Sequence, residues 1–165
     1  MSALMKLKTL EGHLGALSGF SEPKIELEQY ETPAHIAAVA LYTMQTQYEA
    51  LENKLVLDAG CGPGMLGIGA SLLGAGMVVA MDIDDGALEV LQENIEEMEI
   101  PSIDAVQCDF LNSKHCRTHI QKKIKEWGVK GSVIAELRYN LPATYKFHRQ
   151  QTRDIAVDLW RIHHL

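Results

Sequence analysis

Leu55-Val56-Leu57-Asp58, then Ala59-Gly60-Cys61-Gly62-Pro63-Gly64, then Met65-Leu66-Gly67-Ile68-Gly69-Ala70-Ser71-Leu72-Leu73, reads as an apolar run ending in an acid, a glycine-rich turn and an apolar helical stretch. Nothing charged lies between Asp58 and Asp82, so length alone would admit a membrane span. Seven glycines and Pro63 punctuate the stretch and two aspartates bound it, which favours strand, turn, helix, turn, strand. The second apolar run, Met77 to Ile83, again carries an acid near its end, Asp82, and leads into an amphipathic helix from about Gly86 to Glu97. A third strand is predicted from Ile103 to Cys108. Short buried strands alternating with helices predict parallel βαβ units, whose crossovers are right-handed and whose ligand sits at the strands' carboxyl ends. The fold class is α/β.

Outward from this centre the signals are less regular. A helix is expected over the opening residues to about Leu17, then a turn at Gly19 and a short extended segment through Ile25 and Leu27. Thr32 followed by Pro33 predicts a helix start: the hydroxyl accepts an orphan amide bond, and proline in the first turn loses none. The helix runs to about Tyr48 and buries Ile36, Ala37, Val39, Ala40, Leu41 and Met44. After Asp109 the rhythm breaks, because Phe110 to Ser113 leads almost directly into a basic helix from about His115 to Trp127. Two strands close the chain, Ser132 to Tyr139 and Asp154 to Ile162, expected as an antiparallel pair. No linker divides the chain, so residues 1–165 read as one domain: 1–50 a helical cap, 51–111 the βαβαβ half, 112–165 the basic helix and strand pair.

The 165 residues suit one domain, and 47% apolar with 22% charged residues exclude a wholly disordered chain. Three cysteines, Cys61, Cys108 and Cys116, are too few and too scattered for a disulfide framework or a four-ligand zinc site, which fits a reducing compartment. The first twenty residues carry Lys6, Lys8 and Glu11 and no uninterrupted apolar block, so the start reads as cytosolic or nuclear rather than secretory. The net charge of −7 hides a division: residues 1–111 hold 4 of the 15 Lys and Arg and 18 of the 22 Asp and Glu, whereas residues 112–165 hold 11 and 4. The basic end either faces phosphate or is a solvated helical surface.

Three acids at three strand ends, Asp58, Asp82 and Asp109, surround the glycine turn. Glycines let backbone approach a ligand, the following helix presents amides, and an acid ending the second strand can accept from a ribose diol. A nucleoside-containing cofactor is implied, with Asp109 where its adenine would lie. Gly62-Pro63-Gly64-Met65-Leu66-Gly67 also fits the dinucleotide pattern, but Gly60 and Cys61 intervene between strand and first glycine. Asp58 favours S-adenosylmethionine (SAM), whose sulfonium and amino group are cations, over NAD. Tight turns in a ligand-free protein remain a third reading. Cys61 reads as a loop-filling thiol rather than a nucleophile, and His163 and His164 form no metal spacing with the cysteines.

Four segments resemble one family: EQYETPAHIAA (Glu28 to Ala38), LDAGCGPGMLGIG (Leu57 to Gly69), MDIDDGALEV (Met81 to Val90) and AELRYNLPATYKFH (Ala135 to His148). In that order they are similar to the methyltransferase-like protein five family, class I SAM-dependent enzymes that methylate N6 of an adenosine in small-subunit (18S) ribosomal RNA. The resemblance implies a Rossmann-like fold, a small zinc-binding activator subunit as partner, and residence in the nucleus, nucleolus and cytoplasm. It implies cofactor contacts from Gln29 and Thr32, from Gly60, Pro63 and Met65 at the methionine end, from Asp82 and Ile83 at the ribose, and from Asp109 and Phe110 at the adenine. Lys122, Lys123, Lys146, His148 and Arg149 are the candidate RNA contacts.

The chain departs from the family in one block. There a fourth strand ends in Asn-Pro-Pro-Phe and is followed by a helix and a fifth strand; here Asp109-Phe110 runs into HCRTHIQKKIKEW within a few residues. About forty to fifty residues are missing, which a strand, loops, a helix and another strand require. The missing Asn and a backbone carbonyl would hold the target amine and the Phe would stack on the flipped base, so no catalytic residue is retained. Asn140-Leu141-Pro142-Ala143 lacks the second proline and the aromatic. A non-catalytic module that binds SAM or a partner, and an NAD-linked oxidoreductase, are the alternatives. Loss of two strands leaves sheet edges open unless the last strand closes against the first, giving order 3-2-1-7-6.

Overall fold

A computed structural model describes residues 4–109, 121–122, 124–126, 128, 130–142 and 152–163. The chain divides into two compact units, Met1–Asn112 and Ser113–Leu165. In the first, α1 (Leu7–Leu14), a 3₁₀ turn at Ile25–Leu27 and α2 (Ala34–Tyr48) precede the alternation β1 (Leu55–Ala59), α3 (Met65–Leu72), β2 (Met77–Asp82), α4 (Asp85–Glu97) and β3 (Ile103–Gln107). The three strands are parallel in the order β1-β2-β3, with Asp58 opposite Ala80 and Ala80 opposite Ala105. Their carboxyl ends therefore lie side by side, as the apolar runs predict.

The core lies on one side of this sheet. Val78, Ala80 and Ile103 from the strands meet Ile68 and Ala70 of α3 and Leu91 and Ile95 of α4, with Leu10, Leu14, Ala37, Ala38 and Leu41 from α1 and α2 behind them. Gly69 lets those layers close, since a Cβ there would come within 2.4 Å of the Leu41 side chain and 3.4 Å of Leu14. Gln45, buried on α2, turns the chain into the sheet: its Oε1 accepts from the amides of Leu51 (3.1 Å) and Glu52 (2.9 Å).

The opposite face of the sheet departs from the sequence expectation of short buried strands. Leu55 is 74% exposed, Leu57 44%, Met77 38% and Val106 39%, and the register puts all four on one face. Topology explains this. The chain moves from β1 through β2 to β3 in one direction, and right-handed crossovers then place α3 and α4 on the same side. Covering the other side requires the chain to reverse direction after β3 and lay helices there.

In the second unit, β4 (Lys130–Pro142) pairs antiparallel with β5 (Thr152–His163), with a bulge between Val133 and Ala135. Both strands extend beyond the ranges read from sequence. Residues 121–122 and 124–126 are helical, where Lys122 pairs with Glu126 at 3.9 Å; the rest of the expected basic helix lies outside the described residues. Among the described residues the strands pair within two sheets, β1-β2-β3 and β4-β5, in place of the expected order 3-2-1-7-6. Two local expectations also change. Ile25 to Leu27 coil into a 3₁₀ turn ended by Glu28 in the left-handed region (φ 52°) instead of extending. Pro33, not Thr32, is the N-cap of α2, with its carbonyl accepting the first helical bond from Ala37 at 3.0 Å and no side-chain cap.

This one-sided packing predicts unequal mutational costs. Leu91→Ala should lower unfolding free energy by about 2–5 kcal/mol, whereas Leu55→Thr should change it by less than about 0.5 kcal/mol. Urea titrations of both variants check the contrast, and equal losses would mean that the Leu55 face is covered.

Candidate functional site

The glycine turn is shaped by backbone that only glycine adopts freely. Gly60, Gly62 and Gly64 have φ of 79°, 52° and 95°. The amides of Gly60 (2.7 Å) and Cys61 (3.0 Å) both bond the carbonyl of Met81, stitching the turn to β2. Gly64 is the N-cap of α3 and has no side chain with which to cap it. Asp58 does so from the strand instead, its Oδ2 accepting from the Gly67 amide at 2.8 Å. A Cβ on Gly62 would come within 2.7 Å of the Phe20 ring, and one on Gly64 within 2.3 Å of Leu91. A Cβ on Gly60 would meet nothing within 4 Å among the described residues, so the backbone is open there to an approaching ligand.

Asp82 stands beside this opening. Its Oδ2 accepts from the Gly62 amide at 2.8 Å and its Oδ1 from the Asp84 amide at 3.0 Å, which holds the carboxylate still with lone pairs left for a diol. Asp58 is different. Burial of its carboxyl pushes the pKa up to about 6, against the pull of the Gly67 amide and with the help of the neighbouring Asp82 charge. It is thus both a helix cap and an acid that an adjacent cation would ionise. Cys61 is buried, and burial, reinforced by the Asp58 and Asp82 charges, pushes its thiol well above its usual range, which disfavours the thiolate that a nucleophile needs.

The other site residues divide. Pro63 and Met65 lie half-buried at the turn and helix start, and Ile83 is exposed after β2 with its carbonyl accepting from Gln107 Nε2 at 3.2 Å. Asp109 is exposed two residues beyond β3, and Thr32 is half-buried just before α2. Gln29 is buried, and both ends of its amide have protein partners: Nε2 donates to Asp84 Oδ2 at 2.5 Å and Oε1 accepts from the Lys24 amide at 2.6 Å. It holds the segment before α2 onto the loop after β2. Phe110, Lys123, Lys146, His148 and Arg149 lie outside the described residues. Among the described residues no group of three or more His, Cys, Asp or Glu is arranged to hold a metal ion, and no helix is long and apolar enough to cross a membrane.

Sequence reading passes over three residues. Asp84, buried at the N-cap of α4, also takes the Lys24 ammonium, and these Lys24 and Gln29 bonds hold its carboxyl below the usual range. Asn94 is fully buried and bonds Ser18 and Pro63. A signal for Asn94 existed: it falls on the apolar stripe of α4 with Ala87, Val90, Leu91 and Ile95, where a polar residue needs a buried partner. For the Lys24–Asp84 pair, 60 residues apart, there was none.

With this geometry in hand, known proteins supply the comparison. The family model described as ribosomal protein L11 methyltransferase (PrmA) matches residues 34–141. The rRNA N6-adenosine-methyltransferase Mettl5 of Drosophila melanogaster is 41% identical over 206 aligned positions, covering 96% of this chain and 97% of the relative. The corresponding Danio rerio enzyme is 43% identical, covering 95% and 98%. A candidate RNA methyltransferase from Pyrococcus horikoshii superposes with a TM-score of 0.68 at 26% identity, over 96% of each chain. Against 165 residues, the 206 positions of the Drosophila alignment leave at least 41 with no counterpart here, consistent with the missing block. Near-complete coverage at this identity, on a parallel sheet of methyltransferase order, settles the relationship: the chain belongs to the Mettl5 family of rRNA N6-adenosine methyltransferases.

Proposed function

We propose that the chain binds SAM at the carboxyl ends of β1, β2 and β3 and represents the cofactor side of N6-methylation of an adenosine in small-subunit ribosomal RNA. The observation that carries this reading is Asp82, fixed by two backbone amides beside a turn whose Gly60 faces open space. SAM, when bound, supplies an electrophilic methyl group. Asp82 would hold the ribose diol with Ile83 beside it, and Asp109 with Phe110 would hold the adenine. Gly60, Pro63 and Met65 would line the methionine end. Asp58 would offset its positive charge from under the turn. Gln29 would act through Asp84 and Thr32 from the start of α2.

The amine-holding part of the reaction is absent from the 165 residues, which contain no Asn-Pro-Pro-Phe. Asn140-Leu141-Pro142 does not replace it: all three sit within the antiparallel β4–β5 ladder, Asn140 opposite Asp154 and Pro142 opposite Thr152, rather than at the end of a parallel strand. Methyl transfer from SAM needs no protein nucleophile, so its rate depends on holding the amine in line and excluding water. Cofactor binding and methyl transfer therefore separate in this chain. The partners of this reading are ribosomal RNA, met by the basic residues after 112, and the small zinc-binding activator subunit, in the nucleus, nucleolus and cytoplasm.

Three measurements test it. By calorimetry the 165-residue chain binds SAM, and Asp82→Ala weakens binding by about 1.5–3 kcal/mol, the range for a charged hydrogen bond; unchanged binding would remove the ribose assignment. Cationic SAM favours ionised Asp58, so binding releases a proton wherever the free protein holds one. Affinity should thus rise from pH 5 and level off above the free-state value of about 6, and Asp58→Asn should flatten this profile. Tritium transfer from labelled SAM to a ribosomal RNA fragment, with the activator present, should be at least about 100-fold lower than after reinsertion of the family's block behind Phe110. Robust transfer by the short chain would place the amine site elsewhere.

A further inference from the structure

Residues 18–29 cross the glycine turn, and three side-chain contacts hold them there. At one end Asn94, fully buried on α4, accepts from the Ser18 amide at 2.9 Å through Oδ1 and donates through Nδ2 to the carbonyls of Ser18 and Pro63, each at 3.0 Å. In the middle the Phe20 ring covers Gly62, and the Phe20 amide donates to Glu31 Oε1 at 3.1 Å. At the far end Asp84 takes the Lys24 ammonium and the Gln29 amide, while its own N–H holds Asp82 Oδ1.

The two ends differ in how readily they release. Opening the Asn94 end would strip a fully buried carboxamide of both its Ser18 bonds and leave its Oδ1 without a partner, which is costly. At the Asp84 end, releasing Lys24 separates an ion pair whose lysine side chain is already 42% exposed, so water can replace its partner, while the carboxylate, 5% exposed, keeps the Gln29 amide. Movement is thereby directed to the Asp84 end, with Asn94 as the pivot. Asp84 touches both the segment and Asp82, so the latch and the proposed ribose acid share one turn of backbone.

We propose that residues 18–29 form a strap over the cofactor turn, pivoting at Asn94 and latched at Asp84, and that Lys24 and Asp84 are positioning residues that set how fast the cofactor leaves. This rests on the SAM reading of the site. The latch makes cofactor release an electrostatic step, because salt screens a part-exposed ion pair. A packing contact would show no such dependence.

The test uses the full 165-residue chain, with SAM dissociation followed in stopped flow during a chase with excess S-adenosylhomocysteine and amide exchange followed over residues 18–29. Lys24→Met keeps the stem and removes the charge. It should speed dissociation about three- to tenfold with association within about twofold, abolish most of the salt dependence of dissociation, and speed exchange in the strap of the free protein. Lys24→Arg should restore all three. Unchanged dissociation and exchange in a Lys24→Met variant of normal thermal midpoint overturns the latch. Failure of the unaltered chain to bind SAM overturns the cofactor reading and the role built on it, and is told apart from failure of the latch because strap exchange is read without ligand.

Discussion

One hydrogen bond joins the two halves of the unit on which the site depends: Asp58, at the end of β1, accepts the Gly67 amide in the first turn of α3. A parallel strand followed by a crossover helix must turn sharply within a few residues, and here the turn spans Gly60 to Gly64 with three positive φ angles. Such a turn has little conformational preference of its own, since its glycines are free to move in the unfolded chain. The bond from strand to helix start supplies what the glycines lack. It also places a carboxyl under the turn at the cost of desolvating it, which is why that acid resists ionisation while Asp82, held at the rim by two amides, does not sit beneath the turn.

The parts of this arrangement visible in the amino-acid order are those generated by local rules. Apolar runs of five or six residues ending near acids mark β1 and β2, and the glycine cluster marks the turn, because each follows from periodicity or backbone freedom within a short window. The strand pair β4 and β5 was legible for the same reason. Contacts closed by the tertiary fold were not. The 3₁₀ turn at Ile25–Leu27 stands where Gln29 and Lys24 are drawn toward Asp84, and a window of ten residues contains no trace of that partner. The bare face of the sheet was invisible as well, since Leu55 and Leu57 have the character of buried residues and only topology determines what lies over them.

In a doubly wound sheet the cofactor sits over the first strands and the reacting group over those added after the chain reverses direction. Among the described residues that reversal is not made: the three parallel strands are laid down in one direction, and β4 and β5 form a ladder of their own. The division between cofactor handling and substrate handling thus coincides with a division in topology. Asp58 and Asp82 each belong to a strand that pairs with a sequence neighbour. What is missing belongs to strands whose neighbours would be distant in sequence.

The same strand order bears on how the protein is made. Each parallel strand pairs with the next one synthesised, and the helices packed on them come from the same 53 residues between Leu55 and Gln107. Contacts of such short range form early and quickly, since little loop entropy is lost in closing them. The first unit can therefore complete its fold at the ribosome while the basic C-terminal residues are still in the exit tunnel, with no later segment needed as a template. Its acidic residues then emerge ahead of the basic ones, so a nascent chain changes the sign of its exposed charge as its last third leaves the ribosome.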